Sequence, residues 1–388
     1  QVWATSLLSV IHKSGNKKDP GNYRGICLTS SLGKLFCTIL HNRLNEKIRK
    51  DKMQNKYQIG FTEGSSPVDH IFIIKCIVEK FFKVNKNVYA CFVDFKKCFD
   101  TIWRDGMLYK LRQNNIGGLF FKIIKTMYEK STVSIKVQDG LLEAFDTNTG
   151  VRQGCVFSPT LFKIFTNDLP DIFVDNCDPV KLYNEYISCL MFADDVVILS
   201  ESSSGLQNAL NKLQAYAEKW HLIVNTTKTK VMIFNKKGQV LKAKFMYNGE
   251  MLENVRCYRY LGVEMYANGS FNESIKNMCN KGKRAMYKLL QNFDYNIPVK
   301  TGLRLFDVLI KPIVLYGSQV WGSYIYKSKM FDELDIINIF DGQPFEKAHL
   351  RMLKIMLGVS KNASNIATHG EFGRYPLYID VCKFIVKY

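Results

Sequence analysis

Two adjacent carboxylates, Asp194 and Asp195, interrupt a long apolar run: Leu190-Met191-Phe192-Ala193 precedes them and Val196-Val197-Ile198-Leu199 follows. Taking a bare carboxylate out of water is costly, and two side by side add mutual repulsion. At an effective dielectric of 20, two like charges 4 Å apart repel by about 4 kcal/mol. A divalent cation would offset that cost. The flanking runs predict two strands with the acids at the hairpin turn between them. A solvated acidic turn is the plainer reading, and the apolar flanks argue against it. A third carboxylate lies upstream, where the β-branched and aromatic run Val88-Tyr89-Ala90-Cys91-Phe92-Val93 ends in Asp94. If both strand systems share one sheet, Asp94 meets Asp194 and Asp195 at its rim. Three converging acids suit two magnesium ions about 3.5–4 Å apart, the arrangement that clamps an in-line phosphoryl displacement. The competing use of Asp94 is as a helix N-cap.

The positioning elements follow from periodicity. After Asp94 an amphipathic segment carries Ile102, Trp103, Met107, Leu108 and Leu111, which reads as strand, acid, then helix. Val68, Ile71, Phe72, Ile77, Val78 and Phe81 predict one face of another helix, and Leu206, Leu210, Leu213, Ala217 and Trp220 a core-facing stripe behind the acidic sheet. Val133-Ser134-Ile135-Lys136-Val137 and the run from Leu141 predict a strand pair joined at Asp139-Gly140.

Charge narrows the partners. The 388 residues carry 54 Lys plus Arg against 35 Asp plus Glu, a net +19 that favours a polyanion. No apolar run approaches the ~20 residues of a spanning helix, so nucleic acid is preferred to membrane. The eleven cysteines form no C-x-x-C pair or zinc-spaced cluster and read as reduced thiols, mostly buried, of an intracellular chain.

Phe92-Val93-Asp94-Phe95-Lys96-Lys97-Cys98-Phe99-Asp100 and Phe192-Ala193-Asp194-Asp195 resemble motifs A and C of reverse transcriptases, in particular those of non-LTR (LINE-type) retrotransposons. Other blocks agree in order. Asp19-Pro20-Gly21-Asn22-Tyr23-Arg24-Gly25-Ile26-Cys27-Leu28-Thr29-Ser30 resembles the first fingers motif, and Gln58-Ile59-Gly60-Phe61 with Asp69 the second. Gly150-Val151-Arg152-Gln153-Gly154-Cys155-Val156-Phe157-Ser158-Pro159 resembles motif B, Lys228-Thr229-Lys230 motif D and Tyr260-Leu261-Gly262-Val263 motif E.

The resemblance implies an α+β right-hand polymerase fold: fingers, a ferredoxin-like palm with an antiparallel sheet, and a helical thumb. The expected boundaries are fingers 1–87, palm 88–105, a fingers/palm insertion 106–149, palm 150–266, and thumb with C-terminal extension 267–388. The implied activity is RNA-directed DNA polymerisation by two-metal nucleotidyl transfer, as in target-primed reverse transcription. Its cofactors are two Mg2+ ions, with Mn2+ as a substitute, and its partners are an RNA template, a DNA primer or target, and deoxynucleoside triphosphates. Asp94, Asp194 and Asp195, with the Phe95 carbonyl, are the implied metal ligands. Arg24 and Lys13 are assigned to the triphosphate, Phe99 to a steric gate against a 2′-hydroxyl, and Gln153 and Gly154 to the nascent pair. Lys228 is assigned as general acid toward pyrophosphate, with Lys230 a near alternative. Tyr260, Leu261 and Gly262 are read as a primer grip or a buried turn. Lys281, Arg284 and Lys288, three and four apart, are read as a duplex-binding face or a solvated one. The blocks Leu315-Tyr316-Gly317, Trp321-Gly322 and Phe372-Gly373-Arg374-Tyr375-Pro376-Leu377 read as structural parts of the thumb.

Some positions depart from the family pattern. Cys98 replaces a usual alanine, Gly25 a frequent proline (loosening the loop that presents Arg24), and Thr62 a frequent base. The chain starts with Gln1, which suggests a fragment, with an endonuclease domain expected in the missing part of the polyprotein. A nucleus-and-cytoplasmic ribonucleoprotein location is expected. The alternatives are a co-opted remnant that only binds nucleic acid, and an RNA replicase, against which Phe99 argues.

Overall fold

A computed structural model describes residues 5–13, 15–129, 131–137, 140–293, 297–326 and 341–388. The chain divides into two compact units: residues 1–67, 86–233 and 240–255 form one, and residues 68–85, 234–239 and 256–388 the other.

The first unit begins with β1 (Thr5–His12), β2 (Tyr23–Leu28) and α1 (Ser31–Lys50). Ser30 caps α1, its side chain accepting from the Gly33 N–H at 3.1 Å. The long helix α2 (Pro67–Lys83) belongs mainly to the second unit. Then come β3 (Val88–Val93), α3 (Cys98–Thr101), α4 (Arg104–Gln113), α5 (Gly118–Glu129), β4 (Thr132–Val137), β5 (Gly140–Leu141) and β6 (Phe145–Asp146). α6 (Ser158–Thr166) carries Pro159 in its first turn, where the missing N–H costs nothing. It leads to β7 (Val180–Leu182), β8 (Glu185–Ile187), β9 (Cys189–Phe192), β10 (Asp195–Ser200) and α7 (Ser203–Trp220). β11 (Lys230–Phe234), β12 (Met246–Tyr247), β13 (Glu250–Met251) and β14 (Glu253–Asn254) follow.

Two sheets matter for the site. One has the order β2-β1-β4-β5, with β6 also on β4; β1 runs antiparallel to β2 and parallel to β4. The expected strand pair at 133–141 is present, Lys136 facing Leu141, although Asp139 lies outside the described residues. The other sheet has the order β14-β11-β3-β10-β9. β9 and β10 pair antiparallel with Phe192 opposite Asp195, so Ala193 and Asp194 form the turn between them. β10 pairs antiparallel with β3, Val196 opposite Val93 and Ile198 opposite Cys91.

Alternation along these strands sorts their side chains. Cys91, Val93, Val196 and Ile198 join a buried cluster with Met107 and Leu111 of α4, Leu161 and Phe165 of α6, and Leu206, Leu210, Leu213, Ala217 and Trp220 of α7. The α7 stripe is therefore core, as its spacing predicts. α7 is capped by Ser202, which accepts from the Gly205 N–H at 2.8 Å, and it ends at left-handed His221.

The second unit contains α2 and a hairpin of β15 (Cys257–Tyr260) and β16 (Val263–Tyr266). Among the described residues its further helices are α8 (Asn272–Gln291), α9 (Val299–Leu305), α10 (Lys311–Val314), α11 (Ser318–Tyr326), α12 (Pro344–Met356), α13 (Asn365–Phe372) and α14 (Leu377–Lys387). None of the described helices is long and apolar enough to cross a membrane.

This grouping differs from the boundaries read at 87 and 266, because side-chain packing joins segments remote in sequence. On α2, Lys75 Nζ donates to the Val320 carbonyl at 2.9 Å, and Tyr388 Oη donates to Asp69 at 2.7 Å. Tyr260 Oη lies 3.3 Å from His70 Nδ1. Phe72 leaves the buried face assigned to it; it is 40% exposed and packs edge-on against Tyr388. Trp321 is fully buried and donates to the Tyr316 carbonyl at 2.8 Å, while Arg374 forks onto Asp307 at 2.6 and 3.0 Å.

Leu210→Ala should lower the unfolding free energy by about 3 kcal/mol. Leu35→Ala, on an exposed face of α1, should change it by less than about 0.5 kcal/mol. Urea denaturation checks both.

Candidate active site

Val93 and Val196 are opposite one another, so the next residues of the two antiparallel strands, Asp94 and Asp195, stand side by side at the rim. Asp194 occupies the adjoining turn. The three acids meet as the sequence predicts. Asp94 is no helix cap: the residue before α3 is Lys97, and no side chain caps that helix. Instead the backbone of Asp94 is tied to motif D. Its N–H donates to Thr229 Oγ1 at 3.1 Å, and its carbonyl accepts from the Asn225 N–H at 2.7 Å. Lys96 N–H donates to the Ile223 carbonyl at 2.7 Å. In this antiparallel bridge Phe95 faces Val224 as the non-bonded pair, which turns the Phe95 carbonyl away from that segment.

The acidic turn is strained and braced. Ala193 has φ 56°, a region that side chains other than those of Gly, Asn and Asp rarely adopt. Buried Gln58 holds it from both sides: Gln58 Oε1 accepts from the Ala193 N–H at 3.0 Å, and Gln58 Nε2 donates to the Ala193 carbonyl at 3.1 Å. Tyr57 and Ile59 bracket Gln58 with backbone bonds to Met191 at 2.9 and 3.0 Å. A Cβ on Gly60 would lie 2.2 Å from the Ala193 nitrogen, so no side chain fits there. The second fingers motif is therefore the support of motif C, a role that strand and helix periodicity does not disclose.

The acids are electrostatically strained as well. Asp195 is raised to about 6, first by the packed surroundings that thin its water although the residue itself is exposed, then by Asp194 and Asp94. No basic group counters these causes. Asp194 is raised by burial and by Asp94, against the lowering fields of Arg24 and Lys13. Clustered carboxylate oxygens without an adequate counter-charge are the donor set that hard, oxygen-seeking divalent ions require, and the residues present fit such ions.

A cleft of about 1070 Å³ opens beside the acids. Its lining includes Lys13, Arg24, Asp94, Phe95, Phe99, Gln153, Gly154, Asp194 and Lys228, and thus brings together most of the residues assigned to metal, triphosphate, sugar and nascent pair; Asp195 is not among them. Arg24 projects from β2 and Lys13 follows β1. Gly25 is paired with Val10 inside β2, so Arg24 is presented by a strand and not by a loosened loop. Phe99 stacks on Phe162 at 4.6 Å and meets Phe61 edge-on at 6.4 Å, which fixes the ring. Gly154 has φ 97°, and a Cβ there would lie 3.0 Å from the Cys27 carbonyl. The Gln153 carbonyl accepts from the Cys27 N–H at 2.7 Å, joining motif B to the sheet that carries Arg24. Gln153 Nε2 donates to Asp100 at 2.6 Å. Sequence periodicity assigns Asp100 no role; burial raises its carboxyl, while Gln153, Lys97, Lys13 and Arg24 act the other way.

The two lysines of motif D are placed differently. Lys228 lines the cleft, whereas Lys230 Nζ pairs with Glu253 at 2.6 Å. Thr62 is committed internally, accepting from Gln54 at 2.7 Å and from Lys163 at 2.9 Å. Cys98 is buried and packs in the core.

In the second unit, the Tyr260 side chain is buried, with its Oη 3.3 Å from His70 Nδ1. Leu261 and Gly262 form the turn, with φ 46° and 87°, and the Leu261 carbonyl accepts from Tyr316 Oη at 3.0 Å. On α8, Arg284 and Lys288 are exposed, while Lys281 lies 3.7 Å from Glu264 and is partly neutralised.

An acidic triad on an antiparallel hairpin and its neighbour strand, facing a cleft lined by cations, a fixed aromatic ring and a glycine-bearing loop, is the arrangement of the right-hand polymerase fold. The sequence matches the reverse transcriptase (RNA-dependent DNA polymerase) family over residues 11–265, and the chain belongs to that family. It is 28% identical over 331 residues to a probable RNA-directed DNA polymerase from transposon BS of Drosophila melanogaster, covering 82% of this chain and 36% of the relative. It is 25% identical to the RNA-directed DNA polymerase from mobile element jockey of the same species, with coverage of 83% and 36%. The chain thus spans about a third of the length of these relatives. These names bear out the resemblance to non-LTR retrotransposons. Apo telomerase from Candida tropicalis superimposes with a TM-score of 0.52 at 14% identity, over 98% of this chain and 69% of that one, a likeness of fold.

Gln58→Leu and Gly60→Ala should each lower nucleotide incorporation by about 10²-fold by misplacing Asp194, with the apparent KM for nucleotide nearly unchanged; steady-state kinetics with a circular-dichroism control checks this. A second expectation concerns pH. Asp195 holds its proton to about 6 in the fold, against about 3.9 in the unfolded chain. Its contribution to stability is full below about pH 4 and lost as pH rises through about 6. In chelator, Asp195→Asn should therefore melt higher than the parent above pH 6, the gap closing below pH 4; equal melting at pH 7.5 would refute the shift.

Proposed function

We propose that this chain is the polymerase portion of a retrotransposon protein and copies RNA into DNA by attack of a primer 3′-hydroxyl on the α-phosphate of a deoxynucleoside triphosphate. The observation that carries the reading is the strand register that sets Asp94 beside Asp195, with Asp194 in the turn, at the edge of a cleft shared with Arg24, Phe99, Gln153 and Lys228.

Asp94, Asp194 and Asp195, with the Phe95 carbonyl, would hold two Mg2+ ions, for which Mn2+ is the expected substitute. Bound there, such ions lower the pKa of the attacking hydroxyl and neutralise the departing pyrophosphate. Arg24 offers a planar fork to phosphate oxygens and Lys13 a point charge beside it. Phe99, held between Phe61 and Phe162, would crowd a 2′-hydroxyl. Gln153 is held by Asp100 and cannot swing freely, and Gly154 keeps the loop close to β2. Lys228 gives its proton to the leaving pyrophosphate oxygen. Arg284 and Lys288 of α8 are the favoured contacts to the template–primer backbone, with Lys281 weakened by Glu264. An RNA template, a DNA primer or target, an endonuclease domain elsewhere in the polyprotein, and a nuclear and cytoplasmic ribonucleoprotein location belong to the same reading.

Primer extension on an RNA template with magnesium and deoxynucleotides tests the proposal. Asp194→Asn should lower extension by at least about 10³-fold. Phe99→Val should narrow discrimination against ribonucleotides by at least about 10-fold. Salt-sensitive duplex binding without extension by the parent chain would favour a binding-only remnant, and preferential ribonucleotide use would favour an RNA replicase.

A further inference from the structure

The polymerase reading leaves one buried polar cluster of the second unit unused. Glu346 and His349 stand one turn apart on α12, and His369 comes from α13. Glu346 and His349 are fully buried and His369 is 8% exposed. Glu346 Oε1 lies 3.1 Å from His349 Nδ1 and 3.3 Å from His369 Nε2, and one donor atom from each residue falls within 4.8 Å of the other two. We propose that Glu346, His349 and His369 form a structural site for a divalent transition metal of the zinc type, separate from the carboxylates of the cleft.

Four features favour a metal. A Glu-x-x-His pair at i and i+3 directs carboxylate and imidazole to the same side of one helix, an arrangement that di-iron helix bundles use for ligation. Zinc bonds of about 2.0–2.1 Å in tetrahedral array separate neighbouring donors by about 3.3 Å, close to both contacts at Glu346. A purely hydrogen-bonded cluster would have Glu346 accept from both imidazoles. The His349 contact has that geometry, but His369 Nε2 does not, and it finds no hydrogen-bond partner despite its burial. Finally, the cluster is held in place from outside. Glu346 Oε2 accepts from the Leu377 N–H at 2.6 Å, and Phe306 stacks on the His349 ring at 5.1 Å. Two imidazoles and one carboxylate suit zinc or cobalt, whereas the oxygen-only donors of the cleft suit magnesium. Three protein donors leave a fourth position to water. Bound metal would fasten α12, α13 and the start of α14 together.

Cobalt titration of the full chain tests the site, in an Asp94→Asn/Asp194→Asn background that removes competing carboxylates. Visible bands of four-coordinate cobalt should saturate at about one ion per chain, and the unfolding midpoint should rise by about 5 °C or more. His369→Gln should abolish the bands. If that variant fails to fold, X-ray absorption of the zinc-loaded background chain decides, with two imidazoles and oxygen donors expected. Absence of bands and of a midpoint shift overturns the site, as does a shell of oxygens alone or one containing thiolate.

Discussion

Three carboxylates that repel one another must be held at the rim of one sheet, and much of the first unit is organised around that constraint. Left to themselves, the acids of a flexible turn would separate or take up protons. Here Asp195 opens β10, Asp94 directly follows β3, the strand paired with it, and Asp194 sits in a two-residue turn whose first member adopts a left-handed backbone. Gln58 satisfies both backbone groups of that member from a fully buried position, and Gly60 is there because no Cβ fits. The strain in the turn and the repulsion in the acids are sustained by the core beneath, where β3 and β10 lie on α4, α6 and α7. Divalent ions bound there would relieve a repulsion that the fold already holds in place.

The walls of the cleft are built by a different device. Arg24 and Lys13 arrive from a sheet that contains none of the acids, and the bond between Cys27 and Gln153 ties that sheet to motif B. Asp100 accepts from Gln153 and lies in the field of Lys97, Lys13 and Arg24, so motif B and the cationic side of the cleft act on the same carboxylate. Phe99 acts as a wall because aromatic neighbours hold it in place.

The basic balance of the chain is not simply a surface for polyanions. Lys110 is buried, bonded to the Phe165 carbonyl, Asp168 and Tyr216 Oη, and lies 3.8 Å from the Trp220 ring centroid. Burial holds its ammonium down at about 8. Lys75 and Lys163 are likewise spent on internal acceptors. The cations available to a polyanion would be those that line the cleft and those on exposed helix faces, a smaller set than the net charge suggests.

The sequence by itself determined the local periodicities and the chemistry they carry. Apolar runs on both sides of Asp194 and Asp195 required a hairpin, the α7 stripe required a core, and the ordered motifs identified the family. These are properties of neighbouring residues, so they survive in one dimension. Tertiary structure decided what depends on residues far apart in the chain. It separated Lys228 from Lys230 by supplying Glu253 to the latter, put Gly25 in a strand, buried Tyr260 against His70, and joined α2 to residues beyond 256. It also brought Glu346 and His349 to His369 and made Gln58 the brace of the acidic turn. None of these partners stands at a spacing that helix or strand periodicity would flag, because packing selects them by distance in space.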